Sequence, residues 1–338
     1  MKQKVEGSAM WQQNTGTAAL YAEGALVLAP MEGVADYWLR QVLTQVGGYD
    51  WCVTEFVRVS GRLLPPSVFY RWCPELKHEA KTLSGTPVHV QLLGSDPACM
   101  AENAARAVEL GAPAIDLNFG CPAKTVNRHS GGAVILDTPE LLYRITHAVR
   151  QAVPAHLPVS VKMRLGNTDK ASALANALAA QDAGAAWLTV HARTKCEGYR
   201  PPAYWELLAP LNQALTIPLI ANGEVWRPAD ALKCAQESGT PHLMIGRGAV
   251  TNPFLAQEIR GARQATWEQV FPLLQEYSQT LLGTGLPKQE AGRIKQWLNY
   301  LRRQWPVAET LYQELKKERS SEAIVGALVP GGQVRGTA

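Results

Sequence analysis

The chain has 338 residues, 46% of them hydrophobic, and a formal charge of +4, enough for one large domain or a large domain with a small companion. It contains no run of about 18 uncharged apolar residues, and the patch Ala25–Ala29 is too short for a bilayer and lacks the basic flank of a signal peptide, which argues against a membrane protein and for the cytoplasm. The six cysteines, Cys52, Cys73, Cys99, Cys121, Cys196 and Cys234, form no Cys-x-x-Cys pair, so reduced thiols fit better than disulfides or a zinc site.

Residues 1–22 are polar and carry no sustained period, as expected of a disordered extension. From Leu26 onward, β-rich runs recur at Ala25–Ala29, Trp51–Thr54, Val88–Leu92, Ala114–Asn118, Val159–Met163, Trp187–His191, Pro218–Ala221 and His242–Ile245. Amphipathic Ala-rich stretches such as Pro97–Leu110 and Ser172–Ala183 separate them. This alternation predicts an α/β chain, a (β/α)8 TIM barrel. A doubly wound sheet is the alternative, although no Gly-x-Gly-x-x-Gly follows the first strand.

In a barrel the residues at the strand ends converge on one mouth. Those ends are Ala29-Pro-Met-Glu-Gly33, Thr54-Glu-Phe-Val-Arg58, Gln91, Asn118 with Cys121, Lys162 with Arg164, His191-Ala-Arg-Thr194, Asn222-Gly-Glu224 and Gly246-Arg-Gly248. Gly120 and Pro122 stop the fourth strand, so Cys121 stands on a loop beyond it, whereas the other five cysteines read as packing residues. The glycines of the last two ends let backbone N–H groups approach a ligand, and Arg247 offers a fork of donors, a pattern suited to a phosphate. A phosphate-bearing cofactor whose flat ring reaches Met31, Gln91 and Lys162 suits the layout, with Lys162 placing positive charge where a reduced ring gains negative charge.

After Pro253 strands give way to helix, with strong segments at Trp267–Leu282 and Gln289–Gln304. In the second, Ile294, Trp297, Leu298 and Leu301 make one apolar stripe, while Lys295, Asn299, Arg302 and Arg303 lie away from it and Arg293 and Gln296 flank it. A solvated basic face is the plain reading of those charges.

The motifs Leu28-Ala-Pro-Met-Glu-Gly33, Thr54-Glu-Phe-Val57, Val90-Gln-Leu92, Asp116-Leu-Asn-Phe-Gly-Cys-Pro122, Val161-Lys-Met-Arg-Leu165, His191-Ala-Arg-Thr194, Ile220-Ala-Asn-Gly223 and Met244-Ile-Gly-Arg-Gly-Ala249 give the chain its likeness to a known family. It resembles the tRNA-dihydrouridine synthases over about residues 22–320. The resemblance implies FMN held by Pro30, Met31, Glu32, Gln91, Lys162, His191, Asn222, Gly223, Glu224, Gly246 and Arg247, with NADPH or NADH as reductant and no metal. It implies saturation of a uridine C5=C6 bond, hydride passing from reduced flavin to C6 and a proton from Cys121 to C5. A thiol near its ordinary pKa of ~8.5 is mostly protonated at neutral pH and suits that role.

Asn118 and Tyr199 are implied contacts to the base. The pairing of Glu55-Phe-Val-Arg58 with Arg293-Ile-Lys-Gln-Trp-Leu-Asn-Tyr-Leu-Arg302 resembles the type acting at position 16 of the D-loop, with Arg58, Lys295, Gln296 and Arg302 as tRNA contacts. The expected organisation is an extension over 1–22, an FMN-binding catalytic barrel over 23–253, a small all-helical tRNA-binding domain over 254–320 and a flexible tail over 321–338. The partner is tRNA, with no membrane and no obligate protein partner, and the protein is expected to act as a monomer. Ala192 and Phe119 depart from the residues common in the family, either crowding the flavin or repacking a wall, and Arg128 and His129 add cations after Cys121. A flavin dehydrogenase of the dihydropyrimidine or dihydroorotate type and a non-catalytic RNA-binding scaffold are the alternatives.

Overall fold

The computed structural model describes residues 24–123, 131–284 and 287–328. Its strands are β1 (Leu26–Leu28), β2 (Trp51–Val53), β3 (Val57–Arg58), β4 (Val88–Leu93), β5 (Ile115–Phe119), β6 (Val159–Gly166), β7 (Leu188–Thr194), β8 (Leu219–Asn222) and β9 (Leu243–Ile245). All pair in parallel. β1 joins both β2 and β9, β2 joins β4, and each strand from β4 to β8 joins its successor, so the sheet closes on itself as a (β/α)8 barrel. That closure removes the doubly wound alternative, which has two open edges.

The extra strand is β3. Residues Val57 and Arg58, expected in the loop after the second strand, instead pair with Leu92 and Leu93 at the outer end of β4. Val57 is fully buried there, and the pairing satisfies backbone groups of β4 that extend past the barrel rim.

A period of two along each strand divides the side chains between two environments. Ile115, Leu117 and Phe119 of β5, Val159, Val161 and Met163 of β6, and Leu188, Val190 and Ala192 of β7 pack outward into the main core under the helices. Each such buried large side chain contributes about 1.5–3 kcal/mol. Phe119 and Ala192 therefore repack a wall and leave the barrel interior untouched. The alternate residues point inward. Low in the barrel, His89 stacks on Trp51 at 5.4 Å and lies 5.7 Å from Trp187. Burial pushes the His89 imidazole down to about 3, so it is neutral filling. Above this aromatic plug the inward positions turn polar: Gln91, Asp116, Asn118, Ser160, Lys162, Arg164, His191 and Asn222. The barrel is closed below and reactive above.

Beyond the barrel the chain is helical, with Trp267–Leu282, Pro287–Leu301, Pro306–Leu315 and Ser321–Ala327 as its main segments. Ile294, Trp297, Leu298 and Leu301 are buried as their spacing predicts. Indole N–H groups fasten these helices to the barrel, Trp297 donating to Val250 O at 3.0 Å and Trp305 to Thr251 O at 3.2 Å. The expected tail is in part structured, because Ser320 caps the Ser321–Ala327 helix and Ile324 and Val325 are buried against its neighbours. The expected extension over 1–22, together with Arg128, His129 and the last residues of the tail, falls outside the described residues. Among the described residues no helix is long and apolar enough to cross a membrane and no cluster could hold a metal ion.

Candidate active site

The C-terminal ends of the strands surround a cavity of about 520 Å³. Every residue named from the sequence for the cofactor lines it, as do Cys121, Asn118 and Tyr199. Arg58, Lys295, Gln296 and Arg302 do not.

The floor is a directed chain of hydrogen bonds. Ser160 Oγ and Gln91 Nε2 both donate to the Asp116 carboxylate at 2.6 Å, Asn118 Nδ2 donates to Gln91 Oε1 at 2.8 Å, and Asn118 Oδ1 accepts from the backbone N–H of Gly120 and Cys121 at 2.9 Å. An ionised carboxylate only accepts, so Asp116 sets which way the Gln91 amide faces, and Gln91 then sets Asn118. The short Asn118 turn aims Cys121. Burial raises the Asp116 carboxyl to about 6, against bonds from Gln91 and Ser160, and it is ionised at neutral pH. Burial, then Arg164, lowers Lys162 to about 8, with Asp116 pulling the other way. Lys162 Nζ donates to Asn222 Oδ1 at 3.1 Å, and Asn222 is held in turn by Met244 O.

Cys121 is nearly buried beside Phe56 and Leu93. Burial pushes its thiol above the ordinary value, against the pull of Arg164 and Arg58. It is a protonated thiol at neutral pH. Arg164, itself 2% exposed, ties two loops together: Nε donates to Gly120 O at 2.8 Å, and Nη1 donates to Thr194 O at 3.0 Å and Gly198 O at 2.9 Å. Its guanidinium lies 5.1 Å from the Tyr199 ring, so the loop carrying Cys121 and the loop carrying Tyr199 share one anchor.

The opposite wall is cationic. Arg193 and Arg247 both meet Glu224 Oε1 at 2.8 Å, and Trp226 donates its indole N–H to Glu224 Oε2 at 3.1 Å. Burial pulls the Glu224 carboxyl upward, but these bonds and charges outweigh it and hold it below its usual value. Burial and the charges of Arg164, Lys162, Arg193 and Arg247 keep His191 neutral, far below its usual range. Two glycines allow the walls to approach. Gly223 has φ +119°, and a Cβ there would lie 2.8 Å from His191 Cδ2. A Cβ on Gly248 would sit 2.1 Å from Val225 O.

The candidate tRNA contacts lie elsewhere. Arg58 lines a second cavity of about 510 Å³ with Gly61 and Ser95. Gln296 Nε2 donates to Gly33 O at 2.9 Å, Lys295 Nζ to Glu318 O at 2.6 Å, and Arg302 pairs with Glu309 at 2.8 Å. Cys196, expected as packing, is exposed on the turn after β7, where the chain leaves the core. Arg164 and Arg193 were legible at strand ends yet had no assigned role, since only the folded barrel shows which carbonyls and carboxylates they reach. Trp226, Tyr300 and Arg303 also reach the cavity. Nothing local in the sequence marks Trp226 or Tyr300, which come together from separate elements.

Two solved structures share the architecture at low identity. A 2-naphthoyl-CoA reductase superposes with a TM-score of 0.56 at 12% identity, over 71% of this chain and 50% of that one. A histamine dehydrogenase from Rhizobium sp. gives 0.54 at 13%, over 70% and 46%. This chain therefore spans about half of either, and the likeness concerns the fold. Sequence relatives are far nearer. A tRNA-dihydrouridine(16) synthase of Pseudomonas putida is 52% identical over 87% of this chain and 93% of its own. Proteins of the same name from Ralstonia nicotianae and Shewanella oneidensis are 52% and 51% identical, each over 90% of this chain and over 94% and 96% of their own. The family model for dihydrouridine synthase (Dus) matches residues 27–320, from the first barrel strand through the Pro306–Leu315 helix, and the chain belongs to that family.

Proposed function

We propose that this protein reduces a uridine of the tRNA D-loop, at position 16, to 5,6-dihydrouridine, using bound FMN and NADPH or NADH as reductant. Relatives at about 50% identity carry that position in their names. The observation that carries the reading is a protonated thiol, Cys121, opening into the same cavity as a buried lysine and a cationic wall.

The residues present fit FMN. Lys162 and Arg247 line the cavity with Arg193 behind them, and on that wall a single carboxylate among the described residues, Glu224, is shared by the two arginines, while Glu32 and Glu55 line the cavity at the first two strand ends; the shared carboxylate leaves positive charge for a phosphate. Gly223 and Gly248 let His191 and the Val225 backbone close up on that wall, where a Cβ would collide with them. Asn222, Gly223, Glu224, Gly246 and Arg247 would hold the phosphate end, and Pro30, Met31, Glu32, Gln91, Lys162 and His191 the ring. Bound flavin supplies the hydride for C6.

The chain's own groups do the rest. Asn118 orients the Cys121 loop, the Cys121 thiol gives its proton to C5, and the Lys162 ammonium supplies fixed positive charge in a dry site. Tyr199, half-exposed at 53% and braced by Arg164 and Arg247, flanks the base. Drawing the uridine out of its loop costs a few kcal/mol, offset by RNA contacts from Arg58, Lys295, Gln296 and Arg302; Lys295 and Arg302 exchange a present partner for phosphate. Catalysis resides in 23–253 and tRNA docking in 254–320, in a monomeric cytoplasmic protein.

The test is dihydrouridine formation on unmodified tRNA by the flavin-loaded protein, mapped by position. Product at position 16 is expected. Turnover of free dihydropyrimidines or dihydroorotate without any on tRNA would instead select the small-molecule dehydrogenase.

A further inference from the structure

Five cations surround the cavity: Lys162, Arg164, Arg247 and Arg303 line it, and Arg193 lies behind Glu224. Four of them are spent on the protein. Lys162 donates to Asn222, Arg164 to three carbonyls, and Arg193 and Arg247 share Glu224. Arg303 differs. Among the described residues its guanidinium has neither carboxylate nor carbonyl partner; its contacts are the rings of Trp226 at 5.7 Å and Tyr300 at 5.5 Å. It stands in the turn just after the Pro287–Leu301 helix, and the cations near it in sequence are engaged, Arg302 with Glu309, Arg293 with Asp36 and Lys295 with Glu318 O.

Aromatic rings attract the charged plane of a guanidinium without consuming its N–H groups, which stay in that plane as a fork matched to phosphate oxygens. The ring contacts fix Arg303 in place at the exposed rim of the cavity while leaving its donors to a ligand. Trp226 is itself in contact with Arg247 at 5.1 Å, so the mount is continuous with the cofactor wall.

Resting on the reading above, we infer that Arg303, set between Trp226 and Tyr300, is a phosphate-binding subsite for the RNA backbone next to the uridine that enters the cavity. A base lowered toward Cys121 leaves its flanking phosphodiesters at the mouth, where this arginine stands. The subsite fixes how the strand enters and reads no base.

The test compares the flavin-loaded protein with Arg303→Ala and Arg303→Lys, measuring unmodified-tRNA binding across salt and, separately, the rate of flavin reduction by NADPH. Arg303→Ala is expected to weaken tRNA binding about tenfold and to lower the slope of log K against log salt by about one, with flavin content and NADPH reduction unchanged. Arg303→Lys restores the slope and only part of the affinity, because a point charge lacks the fork. Unchanged tRNA affinity and slope in the alanine variant overturn the subsite. So does a defect confined to NADPH, which would make the arginine a coenzyme contact. Dihydrouridine formation by the unmodified protein is read in parallel: its absence fails the underlying reading, and its presence with an unaltered alanine variant fails the subsite alone.

Discussion

In the proposed reaction Cys121 gives the proton and Lys162 the positive charge, and their environments give each a distinct pH signature. Burial raises the Cys121 thiol, so the group is in its donating form below its pKa and is lost as a donor only above the ordinary thiol range. The thiol should therefore impose no fall in the rate of uridine reduction from neutral pH through the usual thiol region, and a fall near pH 8 would belong to Lys162. Cys121→Ala should lower it by about 10²- to 10⁴-fold with flavin content intact, and an alanine variant with near-normal turnover would exclude the thiol as donor. Lys162, lowered to about 8 chiefly by burial, is cationic below that pH and neutral above it. Lys162→Met should lower the potential of the bound flavin at neutral pH, and the unmodified protein should lose the same stabilisation as pH rises through about 8; equal potentials at neutral pH would remove the lysine from that role. Both residues were legible, Lys162 as a polar position near the end of an otherwise apolar strand and Cys121 as the loop residue between Gly120 and Pro122 just past another. The Asp116–Gln91–Asn118 chain was not, since a hydrogen-bond direction set by an acceptor-only carboxylate exists only once two neighbouring strands are in register.

At the scale of elements, strands and cavity were readable from a period of two followed by Gly or Pro, whereas β3 and the Ser321–Ala327 helix were not. Val57 and Arg58 become a strand because β4 offers them unpaired backbone groups, and Ile324 and Val325 are buried by helices distant in sequence. The turn from β9 into the Arg247–Thr251 helix depends on Gly248, whose absent Cβ makes room for Val225 O at what would be 2.1 Å. Gly248→Ala must displace that backbone and with it Arg247 and Glu224, so the purified variant should lose bound flavin; full flavin content would show that the wall can give. The Pro287–Leu301 helix is fastened by Trp297, 1% exposed, which bonds Val250 O and meets the Tyr277 ring edge-on at 5.0 Å. Trp297→Ala should cost about 3–5 kcal/mol, seen as a lower denaturation midpoint, and a shift under about 1 kcal/mol would mean that this helix is held by other contacts.

For the whole molecule, the slight net charge of +4 says little about RNA, and the distribution of cations says more. Sequence spacing found the apolar stripe of the Pro287–Leu301 helix but carried the helix to Gln304, whereas Arg302 and Arg303 stand in the turn after Leu301, and it could not tell which cations were already satisfied; Arg302 and Lys295 face partners within the chain, while Arg303 faces the mouth. A barrel closed below by Trp51, His89 and Trp187 and open above to a thiol, a buried ammonium and a cationic rim admits substrate from one side. The decisive measurement follows from that geometry: flavin-loaded protein, reduced with NADPH without oxygen, is mixed with unmodified tRNA while flavin reoxidation is followed and dihydrouridine is mapped. Reoxidation by tRNA with product at position 16, slowed in Cys121→Ala, is the expected result; reduced flavin indifferent to tRNA yet reoxidised by a free pyrimidine such as uracil or orotate would contradict it.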